Sequence, residues 1–192
     1  GDDHTEIAVL KMFSISSSKP FIENMDELNI TPIVISYEYE PCDFLKTQEL
    51  YISQYQRYIK EPGEDLNSIL KGIKQQKGGI SVSVAPTISR EELQDCDNFE
   101  KNEKFTQLAK LIDQRVYSHY KLWKTNYIAF DMMEGGEKYA HEYTAEEKKA
   151  FEKYMNERLQ SLVGEADELK QIFLNIYANP VKNSKQLKTE RY

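Results

Sequence analysis

Only two stretches of this chain alternate apolar and polar residues as a β-strand does, and they lie far apart: "ITPIVISYEYEPCD", Ile30 to Asp43, and "ISVSVAP", Ile80 to Pro86. In the first, Ile33, Ile35, Tyr37 and Tyr39 fall on one face and Val34, Ser36, Glu38 and Glu40 on the other, because successive strand side chains point to opposite sides. In the second, Ile80, Val82 and Val84 alternate with Ser81 and Ser83, and Pro86 ends the run. Between them, "CDFLKTQELYISQYQRYIK" lacks glycine and proline and reads as helix. The following "EPGEDLNSILKGIKQQKGG" breaks at Pro62-Gly63, resumes as helix and stops at Gly78-Gly79. Strand, helix, strand is the order of a crossover unit, so the expected fold class is α/β, with a partial, mostly parallel sheet flanked by helices and followed by a C-terminal helical subdomain.

The remaining segments are helical in pattern. Ile7, Ala8, Leu10 and Met12 follow Thr5 without alternation and predict a helix that ends at "SISSSKP". The next segment, "FIENMDELN", supplies a short helix closed by Asn29. "SREE" from Ser89 and "TAEE" from Thr144 both match the capping box, in which hydroxyl and carboxylate satisfy backbone donors at a helix start. Three helical stripes follow: Phe105, Leu108, Ala109, Ile112 and Val116; Phe151, Tyr154, Met155, Leu159 and Leu162; and Leu169, Ile172, Phe173 and Ile176. Asn179-Pro180 is expected to end the last stripe, with the polar "SKQLKTERY" fraying beyond it. The expected organisation is an α/β portion over 1–88 and a helical subdomain over 89–192.

At 192 residues, with 11% aromatic side chains, the chain is long enough and apolar enough to bury a core. Its net charge is −7, with 32 acidic against 25 basic residues, which argues against nucleic acid as a partner; "KNSKQLKTER" is the sole basic run and reads as a solvated tail. Cys42 and Cys96 lack CxxC spacing and read as small buried thiols of a reducing, cytoplasmic setting. No apolar run approaches the ~20 residues of a membrane-spanning helix. The opening Gly1 without methionine leads us to expect polypeptide upstream.

Searching for chemistry yields little. His4, His119 and His141 lack the spacing of a zinc site, so no metal is expected, and no cofactor fingerprint or phosphate-cradling loop is present. Glu91-Glu92 and Glu146-Glu147 lie in first helical turns, where the helix dipole accounts for them. Trp123, Tyr127 and Phe130 in "LWKTNYIAFDMM" read as the seal between helices and sheet.

One resemblance adds to this reading. "DDHTEIAVLKMF", "ELNITPIVISYEYEPCD", "GEDLNSILKGI", "LWKTNYIAFDMM" and "IYANP", in this order, resemble the C-terminal part of bacterial phospholipid/glycerol acyltransferases of the kind found in Bacteroidetes. The resemblance implies a parent enzyme that moves an acyl group from acyl-CoA or acyl-carrier protein to a glycerophosphate-type lipid, in contact with the inner face of the cell membrane. It places Pro32, Ile33 and Ile35 at the wall of the substrate region, against the simpler reading of these residues as core. The family's catalytic motif, HxxxxD, is not present: Val9 stands five positions after His4, Lys124 after His119 and Glu146 after His141. No catalytic residue is therefore assigned, and these 192 residues are expected to be inactive alone. A different reading stays open, a non-catalytic module that binds a protein or lipid through its helical half. In either case the two strands are expected to leave an edge that pairs with further polypeptide or with a second copy.

Overall fold

The computed structural model describes residues 4–15 and 18–189; the side chains of 15 and 186–189 are not described. The ends of the chain, 1–3 and 190–192, and part of the "SISSSKP" turn thus lie outside the described residues. Of the described residues, 63% are helical. In order, the elements are α1 (Ile7–Ile15), α2 (Phe21–Glu27), β1 (Ile33–Tyr37), α3 (Asp43–Tyr55), α4 (Glu64–Lys74), β2 (Ile80–Val84), α5 (Arg90–Asp97), α6 (Glu103–His119), α7 (Lys124–Glu134), a 3-10 turn (Ala140–Glu142), α8 (Ala145–Leu159) and α9 (Ala166–Thr189).

Among the described residues the strands pair only with each other, and in the opposite sense to that expected from the sequence. Ala85 N donates to Pro32 O (2.9 Å) at one end, and Glu38 N donates to Gly79 O (2.9 Å) at the other. Residue numbers rise on one strand as they fall on its partner, which makes the ribbon antiparallel. The expected partial, mostly parallel sheet is therefore corrected to a two-stranded antiparallel ribbon within a mostly helical chain. The physical reason is that alternation fixes which face a side chain takes and says nothing about strand direction. A long helical connection is required for a parallel pair, yet an antiparallel pair tolerates it equally.

The described residues gather into two compact units, each drawn from separated stretches of the chain. One comprises 36–81 and 121–186. Its core joins Ile128, Ala129 and Phe130 of α7, Phe151 and Met155 of α8, and Phe173, Leu174, Tyr177, Ala178 and Val181 of α9. The other comprises 2–35 and 82–120, with Leu10, Met25, Ile88, Leu93, Cys96, Leu108, Ala109 and Ile112 at its centre. The helical stripes read from the sequence supply Phe151, Met155 and Phe173 to the first core and Leu108, Ala109 and Ile112 to the second. At Ser89 and Thr144 the capping boxes form as expected: Ser89 N donates to Glu92 Oε2 (2.8 Å) and Thr144 N to Glu147 Oε2 (2.8 Å), with each hydroxyl accepting in return.

Pro180 does not end α9, which runs through it to Thr189. A proline inside a helix costs about 3 kcal/mol because it removes a donor and crowds the preceding turn. Here Tyr177, Ala178 and Val181 on either side are buried in the core, and burial of such side chains at roughly 1.5–3 kcal/mol each for the larger ones outweighs that cost. Asn126 Nδ2 also donates to Tyr177 O (2.9 Å), tying the same turn to α7.

Candidate functional site

Two features stand out from ordinary packing: strand and helix faces turned the opposite way from their polarity, and a buried carboxylate shared by three helices.

In the ribbon, Val34 and Ser36 are buried while Ile33 and Ile35 are 64% and 47% exposed. On β2 it is again the apolar residues, Ile80, Val82 and Val84, that are exposed, with Ser81 and Ser83 partly covered. The register places Ile33 opposite Val84 and Ile35 opposite Val82, so that their side chains form one outward apolar face. What holds the polar side inward is visible at Trp123. Its Nε1 donates to Ser36 Oγ (3.2 Å), which satisfies a hydroxyl that burial would otherwise penalise. The same indole lies so close over Gly79 that a Cβ there would sit 2.3 Å from the ring, so only glycine fits. Thr125 Oγ1 adds a bond to Glu38 O (2.6 Å). Trp123 thus seals one side of the ribbon, as its sequence setting suggests, while Tyr127 packs at a tilt on Tyr139 against the helical core.

The residues assigned to a substrate wall take different positions. Pro32 is half-buried and its carbonyl is held by Ala85, whereas Ile33 and Ile35 face outward on the ribbon. By the parity of the pairing, the backbone groups of Ile33 and Ile35 also point away from β2, to the outer edge of β1.

The buried carboxylate is Asp43, the first residue of α3, with no exposed surface. Its Oδ2 accepts from Tyr154 Oη (2.7 Å) and Tyr177 Oη (2.8 Å), and its Oδ1 accepts from Phe44 N (2.7 Å) and Arg158 Nε (3.1 Å). Tyr177 Oη in turn accepts from Glu40 N (3.0 Å). Burial pushes the Asp43 carboxyl above its ordinary range, against the opposing pull of the two tyrosines and Arg158. The same burial, together with the Asp43 charge, raises Tyr154 and Tyr177. For Arg158, burial works against the charged form, but Asp43 and Tyr154 outweigh it and the guanidinium is held more firmly protonated. Clustered, shifted groups of this kind mark active sites in many enzymes. This cluster instead closes on itself: each carboxylate oxygen has its donors, and it ties α3 to α8 and α9. Its chemistry is that of an anchor.

A second buried carboxylate, Asp131, accepts from Tyr139 N (2.8 Å) and Tyr143 Oη (2.9 Å) through Oδ2, while Oδ1 has no partner among the described residues. Burial and the bond to Asp131 push Tyr143 up to about 12. The histidines are dispersed: His4 meets Asp113 and Tyr117, His119 meets Arg115 O and Ser118, and His141 lies beside Glu142. Among the described residues, no cluster of histidine, cysteine and carboxylate has metal-binding geometry. Cys42 and Cys96 are free thiols in different units, the first half-buried and the second buried. No described helix is long and apolar enough to cross a membrane.

Asp43 was legible as a helix-start residue in "EPCD", but its partners Tyr154, Arg158 and Tyr177 lie too far along the chain for any local pattern to point to them. No family model, curated protein or solved structure matches the chain.

Proposed function

We propose that this chain is the non-catalytic rear portion of a glycerolipid acyltransferase, and that its outward apolar strand face is the seam on which the portion bearing HxxxxD seats. One observation carries the reading: Ile33, Ile35, Val82 and Val84 form an exposed β-branched face, with Ser36 buried and Ser81 and Ser83 partly covered on the other side of the ribbon. Between 47% and 66% of each residue is open, roughly 400 Å² of mostly apolar surface, the size of the largest patch on an ordinary folded protein and one that is often functional. A two-stranded ribbon is marginal by itself, and the free outer edge of β1 presents unpaired backbone groups to an incoming polypeptide. The order of sequence blocks that resembles the acyltransferase family supports the identity of that polypeptide.

In this reading the acyl donor, acyl-CoA or acyl-carrier protein, and the glycerophosphate-type acceptor meet the missing catalytic portion. Pro32, Ile33 and Ile35 back that portion from behind. The parent works in the cytoplasm, peripherally on the membrane that supplies its lipid acceptor. The reading is tested by determining the coding sequence upstream of Gly1 in the same frame. An HxxxxD motif upstream supports it. A start codon immediately upstream overturns it and leaves the second reading, a binding module, which the same apolar face favours.

A further inference from the structure

Helix α4 repeats the inversion seen in the ribbon, with a different charge setting. Leu66, Ile69, Leu70 and Ile73 recur at the spacing of one helical face, and all four are exposed. No residue of α4 is buried. The opposite face is the one that meets the protein: Cys42 Sγ lies 3.8 Å from Ser68 O, a Cβ on Gly72 would lie 3.1 Å from the same sulfur, and Lys71 Nζ sits 5.8 Å from the Phe44 ring centroid. Lys77 closes the C-terminal end by donating to the carbonyls of Gly72 (2.8 Å), Ile73 (3.0 Å) and Gln75 (3.1 Å). The helix is therefore anchored by its polar side, which fixes the apolar stripe outward.

The charges around it run against those of the molecule. From Arg57 to Lys77 there are five cations, Arg57, Lys60, Lys71, Lys74 and Lys77, and three carboxylates, in a chain of net charge −7. Two of the carboxylates are engaged locally: Asp65 accepts from Lys60 (2.7 Å), and Glu64 accepts from Tyr58 Oη and from Glu61 N (2.9 Å). Lys74, on the flank of the stripe, and Arg57 make no ion pair among the described residues, and both are exposed. A stripe of aliphatic side chains flanked by Lys74, on a short segment whose charges sum to +2 in an acidic chain, matches an interface between water and an anionic bilayer, with long basic stems reaching back to headgroups.

We infer that α4 is an interfacial helix that seats this chain on an anionic lipid surface through Leu66, Ile69, Leu70 and Ile73. The inference needs no catalytic activity and stands whether or not the acyltransferase reading does.

The test is co-sedimentation of the 192-residue chain with phosphatidylcholine vesicles, with and without about 30 mol % phosphatidylserine. The expected result is partition onto the anionic vesicles that weakens with added salt. Ile69→Gln/Ile73→Gln should reduce it by about tenfold or more while leaving the melting temperature unchanged, since both side chains are exposed. Arg57→Glu/Lys74→Glu should weaken binding to the anionic vesicles alone. Absence of partition by the unaltered chain overturns the inference. So does partition indifferent to Ile69→Gln/Ile73→Gln, or a concentration-dependent dimer abolished by that variant, which would make the stripe a self-association surface.

Discussion

Replacing Asp43 by asparagine tests whether the buried cluster is an anchor. The carboxylate accepts four hydrogen bonds at 2.7–3.1 Å and has no solvent contact. In Asp43→Asn the amide oxygen can keep Phe44 N and Arg158 Nε, which leaves the amide nitrogen facing the hydroxyls of Tyr154 and Tyr177. Both hydroxyls already accept, from Arg158 Nε (3.2 Å) and Glu40 N (3.0 Å), so their hydrogens lose their acceptor. Two unsatisfied buried donors at about 1–3 kcal/mol each, with the loss of the Arg158 counter-ion, set the gross cost. Relief of the carboxylate's own burial penalty, visible as its raised pKa, offsets part of it. The net expectation is about 2–4 kcal/mol, a fall in Tm of roughly 10 °C for a chain of this size. Urea unfolding followed by tryptophan fluorescence and far-ultraviolet circular dichroism measures it. A second variant, Arg158→Met, followed by the double variant, should show coupling, with the pair costing less than the two single losses together. A loss below about 0.5 kcal/mol for Asp43→Asn would refute the anchoring role, because surface changes fall in that range.

The inverted ribbon makes an unusual demand of mutational data: in equilibrium unfolding, Ile35→Thr and Val82→Thr should each change stability by less than about 0.5 kcal/mol, while Val34→Thr should cost about 1–2 kcal/mol by burying a hydroxyl. Equal losses at Val34 and Ile35 would show that both faces are covered. The tyrosines set the alkaline limit. Tyr154, Tyr177 and Tyr143 are all raised in the folded chain, so their stabilising contribution is complete below the ordinary tyrosine value of about 10 and is lost as pH climbs through the raised folded values. Titration at the phenolate absorbance band should show these three ionising only together with the loss of circular dichroism, and their ionisation in the native state would contradict that.

How far the sequence carries the fold can be judged element by element. The capping boxes at Ser89 and Thr144 are local physics: two side chains and four residues contain all the partners, so they read directly. The same holds for the stripes of α6, α8 and α9, whose period reports a buried face. Failures arise where partners are distant. The alternation at Ile33–Tyr37 identifies a strand but not its direction, and ordinary burial logic assigns Ile33 and Ile35 to the interior. Trp123 reverses that orientation by placing its indole on Gly79 and bonding Ser36, a contact that no local pattern encodes. Pro180 shows a local rule losing to packing, since the core around Tyr177 and Val181 carries the helix past it. At the candidate site, Asp43 is readable as a helix-start acid, whereas its role depends on Tyr154, Arg158 and Tyr177 arriving from the far end of the chain.

The most direct measurement is an acyl-transfer assay comparing these 192 residues with the polypeptide encoded by the complete reading frame, using labelled acyl-CoA or acyl-carrier protein and a lysophosphatidate acceptor. The expected result is transfer by the complete polypeptide and none by the 192 residues alone. Transfer by the 192 residues, or its absence from the complete polypeptide with both donors, would contradict the assignment of this chain as the rear portion of a glycerolipid acyltransferase.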